Sequence, residues 1–267
     1  MNYKKKISLK NKLSFVIGGS GLIGNAVTKA LLEFDSKVVI LDIKKKNKSS
    51  ILLKNKKLHY EFFDISNLDN LEFLLNELIH KYGCPDIFVN CAYLYDKEYA
   101  NNTFEKLKLK SFLKNLENLL VSTSWLSIII ARKMRKLKKY GSIINLGSIY
   151  GVVGQNLNVY KNTPMKENVT YSIAKGGIIN LARQMTSYYG KYNIRINTIS
   201  PGGVKGTVAG LKKIQDKNFL KNYSAQVPMG RLSDKSEIAS TVIFLASDLS
   251  SYISGQNIIV DGGWTSI

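Results

Sequence analysis

Tyr171 and Lys175 stand four positions apart in the stretch TYSIAKGG, residues 170–177. On a helix, residues at i and i+4 share a face, so a phenol and an ammonium would point the same way. A free tyrosine hydroxyl, with a pKa of about 10, carries protons poorly near neutrality. A fixed positive charge beside it favours the phenolate and brings it toward the working range of an acid/base. Such a pair needs a third group to hold the reacting oxygen. Ser148, closing the β-rich run GSIINLGS, is placed to give it a hydrogen bond. Alone, a tyrosine and a lysine at this spacing are also ordinary helix surface in a chain with 15 tyrosines, so their surroundings decide the reading.

Those surroundings alternate. Short β-rich runs at 12–19, 37–43, 58–65, 85–92, 141–148, 194–203 and 257–263 are separated by stretches with helical spacing, such as NLDNLEFLLNELIHKYG and SEIASTVIFLASDLS. Strands alternating with helices predict an α/β fold, a parallel sheet covered on both faces. In such sheets the ligand crevice lies beyond the carboxyl ends of the strands. Gly18 to Gly24, Asp42, Asp64, Asn90, Ser148, Pro201 and Gly202 all fall at strand ends and are expected to converge there.

The run IGGSGLIGNAV, residues 17–27, follows the first strand and opens a helix. Gly18 permits a tight turn, Gly21 lets the backbone approach a pyrophosphate, and Gly24 allows close helix packing, with the helix N-terminus facing the phosphates. Asp42 ends the second strand 18 residues beyond Gly24. There a carboxylate accepts hydrogen bonds from an adenosine ribose and repels an extra phosphate. This favours NAD over NADP, although KKKNK at 44–48 offers the opposite reading, a clamp for a 2′-phosphate.

The 267 residues suffice for one large domain, 1–267, with no linker or repeat dividing it. The longest nearly apolar run, LLVSTSWLSIIIA at 119–131, is too short to span a bilayer and reads as a buried helix. Two cysteines, Cys84 and Cys91, make no disulfide framework, so a reducing cytoplasm is expected. The net charge of +20 raises the question of a nucleic-acid partner. Only five of the 39 basic residues are arginine, and no nucleic-acid motif accompanies the scattered lysines. A solvated lysine surface is expected, with no specific nucleic acid and no membrane as partner.

In this order, the glycine turn, Asp64, NCA at 90–92, Ser148, the Tyr171 and Lys175 pair, SPGG at 200–203 and the closing GRLSDKSEIASTVIFLASDLSSYISGQNIIVDGGW resemble the short-chain dehydrogenase/reductase family, in its compact branch, along the whole chain. The resemblance implies a doubly wound Rossmann-type sheet, NAD(P) binding, and reversible hydride transfer between nicotinamide and an alcohol or carbonyl of a small-molecule substrate. It makes Tyr171 the acid/base, Lys175 the residue that tunes it and holds the nicotinamide ribose, and Ser148 the substrate-positioning residue. The cofactor residues it implies are Gly18, Ser20, Gly21, Leu22, Ile23, Asp42, Asp64, Ile65, Asn90, Ala92, Tyr171, Lys175, Pro201 and Gly202. No metal is implied, and a homodimer or homotetramer is expected.

Departures from the family pattern carry information. Ile17 replaces the usual threonine, the glycine spacing looks like that of the extended sugar-nucleotide branch, and Tyr93 replaces a glycine, so its side chain is a candidate to enter the groove. The family's relay asparagine, counted back from Met134, falls on Leu119, one position from Asn118; water is the alternative relay. An insert, GQNLNVYKNTPMKENV at 154–169, separates Ser148 from Tyr171. A similar SIYG with a long insert occurs in members associated with bacterial surface-sugar and nonulosonic acid pathways, which points to a sugar-like substrate. A non-catalytic dinucleotide sensor and epimerase or dehydratase chemistry are the competing readings.

Overall fold

The computed structural model describes residues 2–44, 55–207 and 214–267. Lys45 to Lys48, most of the proposed 2′-phosphate clamp, lie outside them. Seven strands form one parallel sheet: β1 Leu13–Ile17, β2 Lys37–Asp42, β3 Leu58–Phe62, β4 Ile87–Asn90, β5 Gly141–Leu146, β6 Ile194–Pro201 and β7 Asn257–Val260. Their order, β3-β2-β1-β4-β5-β6-β7, reverses direction between β1 and β4. This is the doubly wound Rossmann arrangement, and each strand lies within one of the β-rich runs.

The helices are α1 Tyr3–Ile7, α2 Leu22–Glu33, α3 Leu71–Tyr82, α4 Leu109–Leu116, α5 Ser122–Lys136, α6 Val169–Tyr189, α7 Lys217–Ser224 and α8 Lys235–Ala246. Every residue of β1 and β4 is buried, as strands covered on both faces require. Period-two alternation sorts β1 between two cores. Phe15 and Ile17 join α3, α5 and α6 on one face, while Val16 joins α2 and α8 on the other. Burying each large side chain there contributes roughly 1.5–3 kcal/mol.

The apolar run at 119–131 is a buried helix, but its entry is irregular. A π-helical turn, Glu117–Val121, joins α4 to α5. A third, smaller core unites the insert, α7 and the C-terminal segment around Ile149, Val159, Phe219, Tyr223 and Trp264. The insert therefore is not a free surface loop: Val159 is fully buried in it.

Candidate active site

The glycine turn is shaped by close backbone approach. Gly18 has a φ of 69°, and a Cβ there would lie 2.9 Å from Ala92 Cα. A Cβ on Gly24 would lie 2.1 Å from the Gly18 carbonyl oxygen, so α2 packs on the turn only because that residue is glycine. Leu22 and Ile23 form the first turn of α2. Asp42 is buried and pins the turn to β2. Its Oδ2 accepts the Ser20 N–H at 2.9 Å and its Oδ1 the Lys44 N–H at 2.9 Å. Asp64 accepts the Ser66 N–H at 2.9 Å, which shapes the loop after β3, and Ile65 is buried beneath it.

Asn90 ends β4 with its Oδ1 accepting the Ala92 N–H at 3.0 Å, while its buried Nδ2 has no partner. Pro201 ends β6, and the Gly202 N–H donates to Val260 O at 2.9 Å. All the strand-end positions read from the sequence lie at the same edge of the sheet, as the parallel strands require.

Ser148, Tyr171 and Lys175 come together at the ends of β5 and α6. Lys175 is buried, 5% exposed, with Nζ donating to Leu146 O at 2.6 Å and lying 5.6 Å from the centre of the Tyr171 ring. Leu146 O is its one hydrogen-bond acceptor among the described residues, so two ammonium N–H groups remain. Burial lowers its pKa to about 8. The Ser148 hydroxyl oxygen accepts the Tyr150 N–H at 3.2 Å, which leaves its own proton to donate outward.

The protein's own groups push Tyr171 the other way from the acidic phenol expected of an ammonium acting together with an oxidised nicotinamide ring. Burial raises the Tyr171 pKa above its usual value, and the opposing influence comes from the Ser148 hydroxyl. The lysine hydrogen-bonds the strand carbonyl of Leu146 rather than the phenol, and desolvation is the largest influence on Tyr171.

Tyr93 does reach the site. Its ring packs edge-on against Tyr171, centroids 5.8 Å apart, and its hydroxyl is hydrogen-bonded to that of Tyr99. Asn118 is buried within the π turn, its carbonyl accepting the Ser122 hydroxyl at 2.6 Å and its Oδ1 lacking a partner. A π turn accommodates one extra residue in a helix, which is the size of the offset in the count from Met134.

Two residues that the sequence reading did not single out set up α6. Asn168 caps α6 by accepting the Tyr171 N–H on Oδ1 at 2.9 Å, and its Nδ2 donates to Tyr99 O at 2.9 Å. Gln155 closes the base of the insert. Its Oε1 accepts the Asn168 N–H at 3.0 Å, and its Nε2 donates to Asn168 O and to Ser172 Oγ, both at 2.8 Å. An asparagine three positions before Tyr171, at the start of a helical pattern, was the available signal for the cap.

A family model described as Enoyl-(Acyl carrier protein) reductase matches residues 20–265. The chain belongs to the short-chain dehydrogenase/reductase family. It is 30% identical over 264 residues to the post-translational flagellin modification protein A of Campylobacter coli, covering 96% of this chain and 99% of that one. It is also 30% identical to the 3-oxoacyl-(acyl-carrier-protein) reductase FabG of Vibrio cholerae, covering 96% and 98% of the two chains. A short chain dehydrogenase from Leptospira borgpetersenii, crystallised with bound NAD+, superposes with a TM-score of 0.85 at 30% identity, covering 99% of this chain and 96% of that one.

As a member of this family the chain is an oxidoreductase that works with a nicotinamide dinucleotide. The site fits that group. A close-packed glycine turn opens α2, a buried carboxylate ends β2, and the Asn90 amide and Lys175 ammonium both keep unpaired donors.

Proposed function

We propose that this short-chain dehydrogenase/reductase interconverts an alcohol and a carbonyl on a polar, sugar-like substrate, with NAD preferred over NADP. Bound nicotinamide would exchange a hydride with the substrate carbon. Tyr171 Oη takes the proton from the substrate hydroxyl in oxidation and returns it in reduction. Ser148 donates its free proton to the same oxygen and fixes its position. Lys175 would offer its two unused N–H groups to the ribose hydroxyls of a bound dinucleotide, and its charge would stabilise the phenolate.

Gly18, Ser20, Gly21, Leu22 and Ile23 would cradle the pyrophosphate. Asp42 would accept from the adenosine ribose, Asp64 and Ile65 would meet the adenine, and Asn90, Ala92, Pro201 and Gly202 would line the nicotinamide half. Asn118, which lies in the π turn with an unpartnered Oδ1, would carry the proton onward to solvent, or water would serve that relay instead. The single observation that carries this reading is the buried Lys175 ammonium held under the Tyr171 ring beside Ser148.

The sugar-like substrate rests on the insert docked beside the site and on the likeness to the flagellin modification protein. Tyr171→Phe should lower turnover across a panel of alcohols and carbonyls by roughly 10²–10⁴-fold; unchanged turnover would show the mechanism to be wrong. Coenzyme titration should give tighter binding of NAD, and tighter NADP binding would reverse the role given to Asp42.

A further inference from the structure

A closed circuit of contacts leaves Tyr171 through its backbone and returns to it through its ring. The Tyr171 N–H donates to Asn168 Oδ1 at 2.9 Å, and Asn168 Nδ2 donates to Tyr99 O at 2.9 Å. The Tyr99 hydroxyl is hydrogen-bonded to that of Tyr93, whose ring packs edge-on against the Tyr171 ring, centroids 5.8 Å apart and planes at 70°. Tyr95 fills the remaining corner, with its centroid 5.5 Å from Tyr93 and 4.8 Å from Tyr99. Two rings therefore brace the one that meets Tyr171.

Tyr93 stands three positions beyond the end of β4, on backbone seated closely against the glycine turn. The Cys91 N–H donates to Ile17 O at 2.9 Å, the Ala92 N–H to Asn90 Oδ1 at 3.0 Å, and a Cβ on Gly18 would lie 2.9 Å from Ala92 Cα. Glycine, usual at position 93 in the family, has no ring to offer, so the brace depends on the residue that stands here. A tyrosine hydroxyl swings about two side-chain torsions, and a misplacement of about 1 Å at a reacting atom can cost on the order of 100-fold in rate. Lys175 does not fix that swing by a hydrogen bond, since its Nζ donates to Leu146 O.

We infer that Tyr93 is a positioning residue: its ring edge, anchored through Tyr99 to the cap of α6, sets the orientation of the Tyr171 phenol. This rests on the role proposed for Tyr171 and names what holds that group in place. Burial keeps the Tyr93 hydroxyl protonated well above the ordinary tyrosine range, so replacing it alters the packing and solvent access of Tyr171 without removing a charge. The other titratable groups around the phenol, Tyr99, Tyr150, Tyr160, Tyr223 and the Lys175 ammonium, stay as they are.

The test is oxidation with NAD of glucose, N-acetylglucosamine, inositol and cyclohexanol, followed from neutral pH upward in wild type, Tyr171→Phe, Tyr93→Gly and Tyr93→Phe, with coenzyme affinity measured by fluorescence. Tyr93→Leu, which fills the space without an aromatic edge, takes the place of the glycine variant should that one not fold. In Tyr93→Gly, kcat should fall by roughly tenfold or more at unchanged KM and coenzyme affinity. The rising limb of its pH profile should move to lower pH by about half a unit or more, because water reaches a phenol whose pKa burial had raised. Tyr93→Phe keeps the ring edge, so its kcat should fall less and its limb stay in place. An unchanged kcat, an unmoved limb or a raised KM in Tyr93→Gly, or a loss in Tyr93→Phe as deep as in Tyr93→Gly, overturns the role of Tyr93. Tyr171→Phe separates that failure from a deeper one: if it keeps wild-type turnover, or wild type oxidises none of the probes, the proposed function falls and this inference with it.

Discussion

Lys175 is pulled two ways. The proposed mechanism uses its charge, and burial lowers its pKa from 10.5 to about 8. Between those values the unfolded chain binds a proton that the folded chain refuses, so stability falls as pH drops through this window and stays reduced below it. Lys175→Met should therefore abolish most turnover yet melt no lower than wild type at pH 7, with any gap in Tm closing toward pH 10.5. A variant that melts lower throughout would show that the bond to Leu146 O outweighs desolvation. Because burial also raises the Tyr171 pKa, alcohol oxidation should accelerate as pH climbs above neutrality; a flat kcat profile would place the proton elsewhere. Ser148 was legible as a strand end, and spacing put Tyr171 and Lys175 on one face of α6, since four residues on a helix fix a shared face. It did not give the direction of the tyrosine shift, because desolvation is set by distant segments packing over the site.

Among the elements, α6 depends on what precedes it. Asn168→Ala removes the cap, which should cost about 1 kcal/mol in stability, and frees the loop carrying Tyr99 and Tyr93. Asn168→Asp keeps the cap but loses the donor to Tyr99 O. If the latch to Tyr99 positions the site, chemical denaturation will show stability restored in Asn168→Asp while kcat stays depressed. Recovery of both would reduce Asn168 to a cap. The seven strands and most helices were legible because a parallel sheet demands β-branched runs separated by amphipathic spacing, as in KVVILDI and SEIASTVIFLASDLS. The π turn at Glu117–Val121 was not, because an extra residue leaves no mark in composition and shows only as an asparagine displaced by one in the count. Gln155 was hidden for a different reason: its partners include backbone groups 13 residues away, across the insert.

At the scale of the molecule, the parallel sheet puts all seven strand ends along one edge, with strand order reversing between β1 and β4. Among the described residues no helix is long and apolar enough to cross a membrane. The positive surface predicts only nonspecific attraction to polyanions, so retention on DNA should vanish at moderate salt; sequence-dependent binding that survives 0.2 M salt would contradict it. On α5, Arg132 lies over Trp125, and Arg135 over Tyr188 of α6 and Tyr192 just beyond it. We expect a homodimer or homotetramer using this face, so light scattering should give a multiple of 29.9 kDa, and a monomer at micromolar concentration would refute it. Gln155 has a consequence of its own. One side-chain amide grips both the N–H and the C=O of Asn168, so the insert is tied at its base as well as through Val159 in the third core. Replacing it would need both anchorages kept, which makes the segment between them the place where substrate range could be rewritten under the proposed mechanism.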